Sequence, residues 1–218
     1  MLKTAKDWTK EGLEELSNGN INGALEAFQK AYEADPNEWE PYCNIANVLA
    51  SAEHNDDALV WFTRALQLNP EAAMIHYGIG NTCYNMKKFD QAVDAYKRAL
   101  ALGMEHQDLF FMIGMSYFQA EKLAEAVEFL DRCEETDIEA FFTKGLALAR
   151  MGKIEEAKQV FEKVIEVVPA HADAHFNLGV AYAYLGNQTQ AQSSLEKAIY
   201  FNPSHTLAKN TLQQLKNL

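Results

Sequence analysis

One alanine, followed four residues later by a bulky side chain, recurs at Ala24, Ala58, Ala92, Ala126, Ala157 and Ala191. The intervals are 34, 34, 34, 31 and 34 residues. A period of this length, kept along most of a chain, marks an architecture in which each repeat is one supersecondary unit. Twelve residues before each alanine stands a small residue: Gly12, Ala46, Gly80, Gly114, Gly145 and Gly179. Four residues after it stands a large one: Phe28, Phe62, Tyr96, Leu130, Phe161 and Leu195. Three further on come Ala31, Ala65, Ala99, Cys133, Val164 and Ala198, and Pro36, Pro70, Pro169 and Pro203 close four of the units.

This spacing predicts pairs of helices. In the first helix of each unit a large residue and a small one lie four apart, on one face. The small residue lets the second helix approach, the recurrent alanine is the matching notch, and the large residue fills the gap to the next unit. Helices of about 12–15 residues are marginal alone in water, so stability must be a sum of unit and interface terms. Composition agrees with an all-α chain. Ala, Leu, Glu, Lys and Gln are strong helix formers, and 5 prolines and 11 glycines in 218 residues are few for a turn-rich β fold.

A 34-residue unit with an aromatic, a glycine, an alanine, a phenylalanine and a closing proline resembles the tetratricopeptide repeat. The likeness covers nearly the whole chain. The stretch GMEHQDLFFMIG, Gly103 to Gly114, is also similar to the small bacterial YrrB-like proteins, which consist of such repeats and little else. The resemblance implies one right-handed superhelical solenoid of antiparallel helix pairs over residues 1–218. Its repeats fall at about 5–38, 39–72, 73–106, 107–137, 138–171 and 172–203, with a capping helix at 204–218.

Departures from the repeat carry local expectations. Glu11 and Glu15 stand at usually apolar places in the first unit, as suits an end unit with a wet outer face. Gly103 replaces the proline ending of the third unit and can stop its helix in a left-handed conformation. Three residues are missing between Ala126 and Gly145, so the second helix of the fourth unit must end early. Lys144 at an apolar place is expected to snorkel. Ser204 is a fair N-cap for the last helix, whose Leu207, Leu212 and Leu215 would cover the open end of the sixth unit.

The resemblance also implies a concave groove lined by the first helix of each unit. By phase it offers Cys43, Asn44 and Asn47, then Met74, Tyr77, Asn81, Tyr84 and Asn85. The fourth unit offers Phe111, Met112, Met115, Phe118 and Gln119, the fifth Phe142, Thr143, Leu146 and Arg150, and the sixth Phe176, Asn177 and Tyr184. Asparagine carries donor and acceptor and can pair with a peptide backbone without reading sequence; Asn47 and Asn81, one repeat apart, are expected to form a short ladder. Aromatics and methionines supply adaptable contact area, and an apolar groove of this kind marks a protein-binding surface. The same aromatics can instead pack on the neighbouring first helix. Thr9 and Leu13 stand where chaperone-binding members carry Lys and Asn, so carboxylate clamping is not expected.

The formal charge of −12 argues against nucleic acid and anionic lipid and suits solubility. With no apolar leader or spanning run, and with Cys43, Cys83 and Cys133 unmatched to any disulfide or zinc spacing, the expectation is a cytoplasmic protein with free thiols. His171, Asp173 and His175 lack an HExxH setting. Gly78 and Gly80 have no preceding strand, and pairs such as Glu134-Glu135 read as solvated surface. No cofactor, metal or catalytic residue is expected. The sequence therefore reads as a non-catalytic scaffold or adaptor for an extended peptide or partner protein. The alternatives are a peptide-sensing regulator, for which no output module lies outside the repeats, and a chaperone-like holder of apolar segments.

Overall fold

The computed structural model describes residues 2–134 and 136–217. Among them are thirteen α-helices and no strand. The chain forms two compact units, residues 1–105 and 106–218. The first unit holds α1 (Ala5–Ser17), α2 (Ile21–Ala34), α3 (Glu40–Ser51), α4 (Asn55–Leu68), α5 (Ala73–Asn85) and α6 (Phe89–Ala101). The second holds α7 (Gln107–Gln119), α8 (Leu123–Leu130), α9 (Ile138–Arg150), α10 (Ile154–Val167), α11 (Ala172–Tyr184), α12 (Gln188–Phe201) and α13 (Thr206–Leu215). Within each unit every helix packs on the next, and α3 touches α5 as α7 touches α9 and α9 touches α11.

The repeat pattern becomes a row of seats. A β-carbon built on Gly12 would lie 2.6 Å from Phe28 Cδ1, one on Gly114 2.7 Å from Leu130 Cγ, and one on Gly145 2.6 Å from Phe161 Cε1. Gly80 under Tyr96 and Gly179 under Leu195 repeat the arrangement. Each of these large residues is fully buried. The large residue thus sits on the glycine of its own repeat. The second repeat solves the same problem differently. Ala46 takes the place of the glycine, and Phe62 lies against Gly78 of the following helix, 2.5 Å from where a β-carbon would be. The alanine in one repeat is matched by a glycine in the next.

Local chemistry sets the ends. Thr4 and Asp7 form a capping box on α1, with Thr4 Oγ1 accepting from the Asp7 amide at 3.2 Å and Asp7 Oδ2 accepting from the Thr4 amide at 2.8 Å. Gly103 takes φ +89° beyond α6. The three-residue deletion shortens α8 to eight residues, and Asp137 then caps α9 by accepting from the Ala140 amide at 3.0 Å. Lys144 pairs with Asp131, and its Nζ lies 5.6 Å from the Phe141 ring centroid. Glu135 lies outside the described residues.

Two expectations for the last helix change. Its N-cap is His205, not Ser204: the ring Nδ1 accepts from the Ala208 amide at 3.1 Å. Leu207 is 62% exposed, and the residue buried under α12 is Ala208, flanked by Leu212 and Leu215. Ala208, Leu212 and Leu215 stand at i, i+4 and i+7 and share one face, whereas Leu207, five residues before Leu212, lies off it.

Candidate functional site

Each compact unit presents one face built from its first helices. In the first unit α3 and α5 place Asn44, Asn47, Tyr77, Asn81 and Tyr84, all half-buried, with Asn85 exposed. In the second unit α7, α9 and α11 place Phe111, Met112, Met115, Phe118, Phe142, Phe176 and Asn177, all half-buried, with Tyr184 78% exposed. Half-burial follows from the packing: each side chain leans on a neighbour and leaves one side uncovered. Tyr77 rests on Tyr96 with ring centroids 5.7 Å apart, and Tyr84 meets Phe89 edge-on at 5.5 Å. Phe142 packs against Phe161 at 5.9 Å and His171 at 4.7 Å, and Phe176 against His205 at 4.8 Å.

Residues of the same phase do not share the same exposure. Cys43 stands in the phase of Tyr77, Phe111, Phe142 and Phe176 but is buried, and Thr143 is buried where Met112 and Asn177 are half-open. A short side chain is covered by its neighbours, whereas a long one reaches past them. Burial pushes the Cys43 thiol up to about 12 and the Cys133 thiol up to about 11, and it raises Cys83 as well. None of the three is an activated nucleophile, which requires a lowered pKa.

The asparagines are partly engaged. Asn81 Oδ1 accepts from the buried Tyr96 hydroxyl at 2.7 Å. Asn47 Oδ1 lies 3.0 Å from where a β-carbon on Gly78 would sit, so the missing side chain makes room for it. Asn177 donates back to the Asp173 carbonyl at 2.8 Å. Met115 accepts from the Thr143 hydroxyl at 3.5 Å, tying α7 to α9. At the end of α9, Arg150 pairs with Glu121 and lies 5.0 Å over the Phe118 ring.

The histidines are structural. His171 caps α11, its Nδ1 accepting from the Ala174 amide at 3.1 Å, and His175 Nε2 pairs with the Pro169 carbonyl at 2.9 Å. His76 makes the same bond to Pro70 in the third repeat, also at 2.9 Å. The His76 and His175 rings tie α5 and α11 to the proline turns before them. Among the described residues no three His, Cys, Asp or Glu side chains converge as a metal site. No helix there is long and apolar enough to cross a membrane.

Family models described as tetratricopeptide repeat match residues 9–73 and 142–205, residues 73–102 and residues 107–137. The chain belongs to the tetratricopeptide-repeat family. It is similar to YrrB, described as a TPR protein with an unusual peptide-binding site. The two are 39% identical over 89% of this chain and 100% of that one, with a TM-score of 0.80. PilF of Pseudomonas aeruginosa shares the fold at 18% identity, covering 96% of this chain and 97% of its own, with a TM-score of 0.77. So does PilW, a type IV pilus biogenesis factor, at 18% identity, 97% and 100% coverage and a TM-score of 0.75. No curated protein matches the chain. As a tetratricopeptide-repeat protein it has the fold of a protein-interaction module.

Proposed function

We propose that this protein is a non-catalytic holder of extended polypeptide, which it takes on the first-helix faces of its repeats, and that it serves as an adaptor. The observation that carries the reading is the half-burial of Tyr77, Phe111, Phe142 and Phe176 in one phase of successive first helices. Aromatic area left open on one side offers binding energy at little entropic cost. The asparagines of α3 and α5 add backbone-pairing groups that do not read side chains. Similarity to a relative with a peptide-binding site supports the same reading.

The test uses residues without structural bonds of their own. Asn81 and Tyr77 are poor choices, since one holds the Tyr96 hydroxyl and the other packs on its ring. Asn44→Ala, Asn85→Ala and Met112→Ala combined should keep the helical spectrum and melting point of the parent and lose a protein that the parent retains from cell extract. A variant that retains the same protein to the same extent contradicts the proposal.

A further inference from the structure

The second unit carries an acidic residue at the same place on three first helices. Asp108, Glu139 and Asp173 are each the second residue of α7, α9 and α11, and all three are exposed. Asp108 and Asp173 keep 83% and 64% of their side chains in solvent. Three residues further along each helix, hence on the same face, stand Phe111, Phe142 and Phe176. Four beyond those stand Met115, Leu146 and Val180, all half-buried. The face is therefore an apolar floor with one anionic edge. The corresponding places in the first unit hold Lys6, Glu40 and Met74 and make no such edge.

Among the described residues none of the three acids forms an ion pair with a lysine or arginine. Arg150 lies at the far end of α9 and is paired with Glu121; Lys144 is paired with Asp131. Imidazoles stand beside two of them, His106 Nδ1 at 4.0 Å from Asp108 Oδ2 and His205 Nε2 at 3.2 Å from Asp173 Oδ1. A chain of net charge −12 adds to the local field.

We propose that this face takes a polypeptide segment in which basic side chains recur among large apolar ones, in preference to a neutral or acidic segment. The proposal rests on the reading that the first-helix faces hold polypeptide. Packed helices lie about 8–10 Å apart. A polyproline II segment turns once in three residues and advances about 9 Å in doing so. A basic residue at every third position therefore keeps step with Asp108, Glu139 and Asp173, while the apolar residues between settle on the phenylalanines. Acids in a first helical turn also favour their own helix, and that part of their role shows in stability rather than in affinity.

Fluorescence anisotropy of the full chain with three labelled peptides tests this. Each is a four-fold repeat, of Arg-Leu-Pro, Ser-Leu-Pro or Glu-Leu-Pro. The arginine peptide should bind tightest, more weakly as salt rises, and the glutamate peptide least. Asp108→Asn, Glu139→Gln and Asp173→Asn together should weaken the arginine peptide about tenfold at low salt and leave the serine peptide unchanged. Neutralising Glu125, Glu128 and Glu166, exposed acids on α8 and α10, removes the same charge and should leave both affinities as they were. Equal binding of the arginine and serine peptides, or equal weakening by both triple variants, overturns the basic preference and leaves the polypeptide-holding reading standing. Binding of none of the three overturns both.

Discussion

Replacing Gly80 by alanine sets helix propensity against packing, and the structure decides which is larger. The new methyl carbon would lie 2.5 Å from Tyr96 Cδ1 and 2.9 Å from Cγ. Carbon atoms in ordinary contact are about 3.5–4.0 Å apart, so the ring must retreat by about 1 Å. It has nowhere to go, because Tyr96 is fully buried and its hydroxyl is held by Asn81 at 2.7 Å. Overpacking of this kind costs about 1–3 kcal/mol, and loosening the hydroxyl bond about 1 kcal/mol more. Alanine returns about 1 kcal/mol over glycine in a helix interior. The net expectation is a loss of about 1–3 kcal/mol, read as a lower urea midpoint by circular dichroism. Adding Tyr96→Leu, the size found at Leu130 and Leu195, should make the alanine less costly than it is beside tyrosine. An unchanged or higher midpoint for Gly80→Ala alone would mean that propensity wins and that the ring is not seated on Gly80.

Three further outcomes follow from the same geometry. Gly78→Ala should destabilise by a similar overpacking of Phe62, and Ala46→Gly in the same chain should restore part of the loss; additive losses in urea melts would refute the exchange between neighbouring repeats. Burial lowers the His175 pKa from the usual 6.5, against a smaller opposing effect of its bond to Pro169. The unfolded chain then binds the proton more readily, so the contribution is intact above about pH 6.5 and is lost as pH falls through the folded value. His175→Gln should flatten that decline between about pH 7 and pH 5, and an unaltered pH profile of the urea midpoint would contradict it. The buried thiols of Cys43, Cys83 and Cys133 should react slowly with a thiol reagent at neutral pH and quickly in urea; a fast native reaction at Cys43 would contradict its burial.

Most of the helical framework was legible because the repeat period encodes contacts that recur. The phase of Ala24 and its successors locates each notch, and the missing residues after Ala126 locate the short α8. What phase cannot encode is how far a side chain reaches. Cys43 and Thr143 share positions with longer residues and are covered, while Phe142 and Met112 are not. Nor does phase report competition for one atom: Asn81 belongs to the expected ladder, yet its Oδ1 already accepts from Tyr96 on the second helix of the same repeat. The capping histidines are not legible as caps, because Ser, Thr, Asp and Asn are the usual N-caps. Their signal was present as His171 and His205, each two residues after a closing proline.

The central claim is that the first-helix faces, and not the outer helices, hold polypeptide. A photo-cross-linking residue placed at Asn85 or Phe118, and in separate chains at Val60 or Val167, which are exposed on α4 and α10, measures this directly in cell extract. The account predicts that Asn85 and Phe118, each on the first-helix face of its own unit, cross-link to a partner polypeptide and that the outer positions do not. Cross-links from Val60 or Val167, with none from Asn85 and Phe118, would contradict it.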